Sequence, residues 1–238
     1  MAGWAGNGRR VSRRFSRKRE VAIGLGVYAV YLLVRRAALA KGGEQRAHQN
    51  AARIVALERR LGIHIEQRIQ QVFLPQRRLV AIMNVAYGTL NVGLTAMWLL
   101  WLFERGDPAY HRYRRASVLG MLGAQPFFLL LPTAPPRKLD HLVDTIAEVS
   151  GIDLDSGFVA KLYHPLAAMP SIHMTIAVVT AEGIRQTARN PVVRAVARAY
   201  PSLVAGVVLA TANHYVLDVV VGYGLGKAAL AAAKRLGE

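Results

Sequence analysis

The chain has 238 residues, of which 53% are hydrophobic and 19% charged, with a formal net charge of +17 and no cysteine. Its apolar residues gather in long runs instead of alternating with charge, which is the pattern of a polytopic membrane protein. The basic residues lie in flanks and loops where anionic lipid headgroups meet them, so headgroups and not nucleic acid are the expected partners; the lack of cysteine excludes disulfides, thiolate metal sites and thiol nucleophiles, and no zinc-type ligand cluster stands in their place.

Seven of residues 9–19 are Lys or Arg, and an apolar stretch over 21–40 follows, interrupted by Arg35 and Arg36. No small-residue cleavage site follows it, so residues 1–20 read as a basic cytoplasmic segment ahead of a retained first span, whose two arginines snorkel to an interface. Residues 21–238 then read as one membrane-embedded domain. Between Ala51 and Phe73, the residues Ile54, Leu57, Leu61, Ile65, Ile69 and Val72 recur every three or four positions, with Arg53, Glu58, Arg59, Arg60, Glu66 and Arg68 elsewhere on the wheel. This period predicts an amphipathic helix over 51–73 that lies along the headgroup layer or against a partner domain.

Apolar stretches at 79–103, 116–131, 171–183, 196–212 and 216–233 bring the expected number of transmembrane helices to six. Turns at Gly106-Asp107-Pro108, at 132–136 and at Asn190-Pro191 punctuate them. The expected fold class is therefore all-α, a polytopic bundle with an interfacial amphipathic helix. The longest polar insertion, 133–169, carries Asp140, Asp144, Glu148, Asp153 and Asp155, and reads either as a cap over one membrane face or as a solvated loop.

Counts of Lys and Arg put both termini and the loops 105–115 and 185–198 in the cytoplasm if there are six spans. Residues 41–78, with eight Lys or Arg, then fall on the other side, and a five-span arrangement without 21–40 fits the counts equally. In both arrangements the segments 132–137, 170–173 and 214–218 fall on one membrane face.

Those segments hold the polar groups with chemical potential. Pro170 suits the first turn of a helix, so the fourth span is expected to begin near Met169 or Pro170. The free N–H groups there and the Ser171 hydroxyl favour an anion, beside which His173 can hold a proton for a departing alkoxide. His214 and Asp218 stand at i and i+4, so on a helix the carboxylate accepts from one imidazole nitrogen and leaves the other as a nucleophile, or as a base for one. Asp218 is the only acidic residue between Glu182 and Glu238, and an ionisable group at membrane depth is costly without a purpose. Arg137, following Pro135 and Pro136, offers a planar fork for phosphate oxygens. Taken singly, Ser171 and His173 read as a helix cap, His214 and Asp218 as a structural pair, and Arg137 as an interfacial anchor. Their joint placement on one face favours a phosphoryl-transfer site without a metal.

Pro132-Thr133-Ala134-Pro135-Pro136-Arg137, Ala167-Ala168-Met169-Pro170-Ser171-Ile172-His173 and Thr211-Ala212-Asn213-His214-Tyr215-Val216-Leu217-Asp218 resemble the three motifs of the type 2 phosphatidic acid phosphatase superfamily. The resemblance spans residues 50–230 and is closest to the branch that includes inositol phosphorylceramide synthases. It implies six transmembrane helices in the plasma membrane and an extracytoplasmic site. It also implies His214 as the nucleophile that forms a phosphohistidine, Asp218 as its orienting group, His173 as proton donor to the leaving group, and Ser171 and Arg137 as phosphate ligands, with no cofactor. Ile172 replaces a frequent glycine, and Val208 and Leu130 stand where members often carry Arg and Lys, which leaves Lys138 or Lys161 to supplement Arg137. The expected activity is a lipid phosphatase acting on a phosphatidyl or polyprenyl phosphate ester. The alternatives are a phosphotransferase moving a headgroup such as phosphoinositol to an alcohol, and a non-catalytic lipid transporter or scaffold.

Overall fold

A computed structural model describes residues 16–40, 42–139, 141–154 and 163–237. Most of the basic N-terminal segment, together with Asp140, Asp155 and Lys161, lies outside the described residues. The described chain is all-helical: α1 (Arg17–Ala38), α2 (Gly43–Arg60), α3 (Glu66–Phe73), α4 (Arg77–Val85), α5 (Asn91–Glu104), α6 (Ala109–Leu130), α7 (Thr145–Ser150), α8 (Ile172–Thr187), α9 (Pro191–Ala210) and α10 (Val216–Arg235). A π-helical turn, Ala86–Leu90, joins α4 to α5.

Helix α8 is the axis of the assembly. Met174, Thr175, Ile176, Ala177, Val178, Val179, Thr180, Ala181 and Gly183 are all buried, because α5, α6, α9 and α10 pack around it. One apolar cluster joins Trp98, Leu102, Tyr113, Val178, Val179 and Leu230, and a second joins Tyr87, Ile146, Ala177, Val204 and Val208. Close approach of α10 to α8 depends on Gly222 and Gly226, one turn apart. A Cβ at Gly222 would stand 2.4 Å from the Ser171 carbonyl oxygen, and one at Gly226 would stand 2.7 Å from that of Thr175. Small residues let helix backbones meet in this way where lipid supplies no hydrophobic drive. The freed surface is polar glue as well: Thr95 Oγ1 and Thr180 Oγ1 are 2.8 Å apart across α5 and α8.

Three helices, α1, α9 and α10, are long and apolar enough to cross a membrane, and the bent pair Arg77–Thr89 and Asn91–Glu104, with 47° between its halves, makes a fourth if it is one span. The outer surface agrees: Leu25, Leu33, Ile82, Val92, Met97 and Leu203 are each at least 60% exposed, a lipid-facing rather than a water-facing pattern. The other two expected spans differ from expectation for physical reasons. Helix α8 has 16 residues, about 24 Å at 1.5 Å per residue, which is short of a bilayer core of about 30 Å. Helix α6 starts with His111, Arg112, Arg114 and Arg115, so only its second half is apolar.

The expected single helix over 51–73 is two helices. The chain turns at Gly62, which takes a left-handed φ of +69° that favours glycine, and Glu66 starts a new helix. The buried face combines small apolar residues with polar ones, while several large apolar residues face outward. Ala47, Ala51, Val55, Glu58, Glu66 and Gln70 are buried, whereas Leu57, Leu61, Ile65 and Val72 are exposed.

The described part of the polar insertion 133–169 is folded against α3 and α4. Gln70 holds Val143 as a peptide would, donating from Nε2 to its carbonyl at 2.8 Å and accepting its N–H at 2.9 Å. Asn84 donates to the Thr145 carbonyl and to Ser150 Oγ, each at 2.8 Å, and accepts from Thr145 Oγ1. Helix α7 begins on the Asp144 side chain, which accepts from Ile146 N and Ala147 N.

Candidate active site

Three chain segments that are far apart in sequence meet at the top of α8. Thr133 and Ala167 form a parallel bridge, with Thr133 N–H donating to the Leu166 carbonyl at 2.8 Å and Ala168 N–H to the Thr133 carbonyl at 3.2 Å. The turn between α9 and α10 is then fastened to both strands of that bridge. Tyr215 Oη donates to the Ala134 carbonyl at 3.1 Å, Arg137 N–H donates to the Ala212 carbonyl at 2.7 Å, and Ser171 N–H donates to the Asp218 carbonyl at 3.0 Å. Buried backbone groups must be paired, and here the pairing itself is what assembles the three motifs.

Helix α8 begins later than the sequence suggests. Met169-Pro170 is a cis peptide, and Ser171 is the N-cap, its Oγ accepting from Met174 N at 3.3 Å. Pro170 therefore precedes the helix, and His173 is its second residue. The His173 carbonyl accepts from Asn91 Nδ2 at 2.7 Å, and Tyr200 Oη donates to Asn91 Oδ1 at 2.8 Å, so α5 and α9 together fix this first turn.

His214 precedes α10 and is not helical, so its proximity to Asp218 comes from the turn and not from a shared helix face. Its Nδ1 lies 2.9 Å from the Ala168 carbonyl and 3.4 Å from Asp218 Oδ2. A carbonyl only accepts, so Nδ1 carries the proton and Nε2 presents a lone pair. Nε2 faces His173 Nδ1 at 3.4 Å, and the two rings are 5.6 Å apart between centroids. Tyr87, in the π-helical turn, covers both imidazoles, with its ring 4.3 Å from that of His173 and 6.3 Å from that of His214. Burial pushes His214 down to about 4, with the Ala168 hydrogen bond acting the other way. Asp218 is wholly buried; Oδ2 accepts Tyr215 N–H at 2.9 Å, while Oδ1 has no hydrogen-bond partner among the described residues.

Arg137 is buried in the short 3₁₀ turn Pro136–Lys138. One terminal nitrogen pairs with Asp144, the Tyr163 ring lies 5.8 Å from the guanidinium carbon, and Nε and Nη2 have no hydrogen-bond partner among the described residues. Lys138 is its half-buried neighbour in that turn.

The structure thus gathers His173, His214, Asp218 and Ser171 into direct contact or through one backbone bond, and fastens Arg137 to the same turn. Several contributors have no counterpart in the sequence reading. Asn84 and Asn91 are polar residues seven apart in an apolar run, hence on one helix face, and that spacing was a usable signal. Tyr87 and the Ala168 carbonyl had none. Glu58 and Glu66, which fall among the polar positions of the predicted amphipathic wheel, are instead fully buried with His64 between them, so a ligand-type cluster is present where none was expected.

A family model described as the PAP2 superfamily matches residues 52–232. No curated protein and no solved structure matches the chain.

Proposed function

The chain belongs to the PAP2 superfamily, whose domain is that of a phosphatase-type phosphoesterase, and from that premise we propose that it hydrolyses the phosphate ester of a membrane lipid through a phosphohistidine at His214. The observation that carries the reading is the fixed tautomer of His214. With Nδ1–H held by the Ala168 carbonyl, the nucleophilic lone pair of Nε2 is aimed at His173.

In the proposed first step Nε2 attacks phosphorus, the bond from phosphorus to the lipid oxygen breaks, and His173 gives that oxygen its proton. The negative charge of the arriving phosphate favours the protonated form of His173. The 3.4 Å contact between the imidazoles must widen to admit a phosphoryl group, and His173 is the more exposed of the two rings. The imidazolium formed on His214 is stabilised by Asp218 Oδ2. Water then attacks phosphorus from the vacated side, His173 takes its proton, and the bond from phosphorus to Nε2 breaks to release phosphate. Arg137 Nε and Nη2, with the Ser171 hydroxyl and Lys138, supply donors to the non-reacting oxygens.

A lipid substrate is supported by the apolar exterior of α1, α9 and α10 around the site. In the same reading α6 and α8 complete six membrane helices, and the site faces the extracytoplasmic side. Where members often carry Arg and Lys, this chain has Val208 and Leu130, which leaves transfer of a phosphorylated headgroup to an alcohol as the second reading.

The test uses purified protein in detergent with labelled phosphatidyl, polyprenyl and inositol-containing lipids, with and without alcohols. Wild type is expected to release phosphate, and His214→Asn, which retains a donor for Ala168 but no nucleophile, to lose roughly 10³-fold or more in rate while still folded. A labelled lipid product instead of phosphate assigns transfer. Equal rates for a folded His214→Asn protein would return the molecule to the transporter or scaffold reading.

A further inference from the structure

Away from the histidine pair, the turn between α2 and α3 encloses a second constellation. Glu58 ends α2, Glu66 begins α3, and both side chains are completely buried. Each carboxylate uses one oxygen on the start of α10: Glu66 Oε1 accepts Val216 N–H at 2.9 Å, and Glu58 Oε1 accepts Leu217 N–H at 2.7 Å. The remaining oxygens, Glu58 Oε2 and Glu66 Oε2, have no hydrogen-bond partner among the described residues, nor has His64 Nδ1, and the three atoms cluster together. Two buried carboxylate oxygens gathered around one imidazole nitrogen hold more acceptors than donors, an arrangement that is costly unless something positive lies between them.

We propose that Glu58 Oε2, His64 Nδ1 and Glu66 Oε2 bind a divalent transition-metal cation of the zinc or manganese class. His64 Nδ1 lies 3.0 Å from Glu66 Oε2 and 3.5 Å from Glu58 Oε2, and the three atoms fall within 4.8 Å of one another. Metal–ligand bonds of about 2.0–2.1 Å in a tetrahedron put neighbouring ligand atoms roughly 3.3 Å apart, midway between the two observed edges. Two carboxylates balance the charge of a dication, and the imidazole selects against magnesium and calcium, which prefer oxygen alone. His64 is 14% exposed, which leaves a way in for the ion, and the His141 ring stands 6.2 Å from that of His64 as a further nitrogen donor nearby. The second oxygens of the ligands hold the first two residues of α10, so the ion is a structural one that fixes the helix carrying Asp218. It takes no part in the proposed phosphoryl steps.

The experiment loads the full chain, purified in detergent without a metal-affinity tag and stripped by chelator, with Zn²⁺ or Mn²⁺ alone. Expected are saturable binding of one equivalent per chain by elemental analysis and calorimetry, a melting temperature that rises with metal concentration, and no replacement by Mg²⁺. His64→Ala and Glu66→Gln are each expected to bind at least roughly tenfold more weakly. X-ray absorption of the zinc-loaded wild type is expected to give an imidazole nitrogen among oxygen neighbours. Absence of saturable binding in wild type, a first shell without imidazole, or unchanged affinity in both folded variants would overturn the proposal and leave a carboxyl pair sharing a proton. None of these readouts depends on phosphate release.

Discussion

His214 and His164 are buried imidazoles outside the spanning helices, and both are pushed down from 6.5 to about 4, His164 by burial and by the charge of Arg35. Their depressed values mean that the unfolded chain binds protons at a pH where the folded one does not. Stability should therefore be unaffected by these groups above about 6.5 and fall as pH drops from there to about 4, where the loss levels off. Melting temperature in detergent across that range is the measurement, and His164→Gln should shallow the slope; an unchanged slope in that variant would refute a buried neutral His164. At this scale the sequence was informative wherever side-chain chemistry carried the signal. His173, His214, Asp218, Ser171 and Arg137 announce themselves as ionisable or hydroxyl groups between apolar runs. Ala168, whose carbonyl sets the His214 tautomer, has a side chain with no polar atom, and Tyr87 is one aromatic residue in a hydrophobic stretch.

Helices α8 and α10 meet through Gly222, so the element scale has a direct probe. Gly222→Ala would drive a methyl against the Ser171 carbonyl and within 3.2 Å of Met174 Cβ. Relief requires the two helices to part, at about 1–3 kcal/mol, and the N-cap of α8 to move with them. Both a lowered unfolding midpoint and reduced phosphate release are expected, whereas Gly206→Ala, with nothing within 4 Å, should lower neither. The 51–73 segment illustrates why elements were only partly legible. Its three- and four-residue period was real, but it did not mark a buried face: Leu57, Leu61 and Val72 are exposed, Ile54 and Ile69 pack against the core, and Glu58, Glu66 and Gln70 are inside. In water the apolar stripe would point inward, but beside a bilayer it points out, and periodicity alone has no sign. The break at Gly62 was hidden because the period carries on across it. The stretch 171–183 lies within α8, and a helix surrounded by protein is as apolar as one surrounded by lipid, so its sequence does not tell the two apart.

For the whole molecule, the proposed orientation can be read with thiols, since the native chain has no cysteine to interfere. Ile152 and Leu236 are 47% and 64% exposed, in the polar insertion and beyond the last turn of α10. Twenty residues of α10, about 30 Å, separate the site end from the Leu236 end. An impermeant maleimide should label Ile152→Cys on intact cells and Leu236→Cys only after permeabilisation; labelling of both from one side would reject a spanning α10. Helix α1 completes the picture from outside. It precedes the matched region 52–232, and only 6% of its apolar window is buried. Even so, Arg35 Nε donates to the Tyr163 carbonyl at 2.8 Å, and Tyr163 lies under the Arg137 guanidinium. The first helix packs against α6 and sets its tip beside the proposed phosphate-binding turn, so bilayer thickness or curvature that tilts it would reach that turn through Arg35. Arg35→Ala should raise KM for the lipid severalfold in vesicles while leaving the unfolding free energy within about 1 kcal/mol of wild type, making the lipid bath itself an input to turnover.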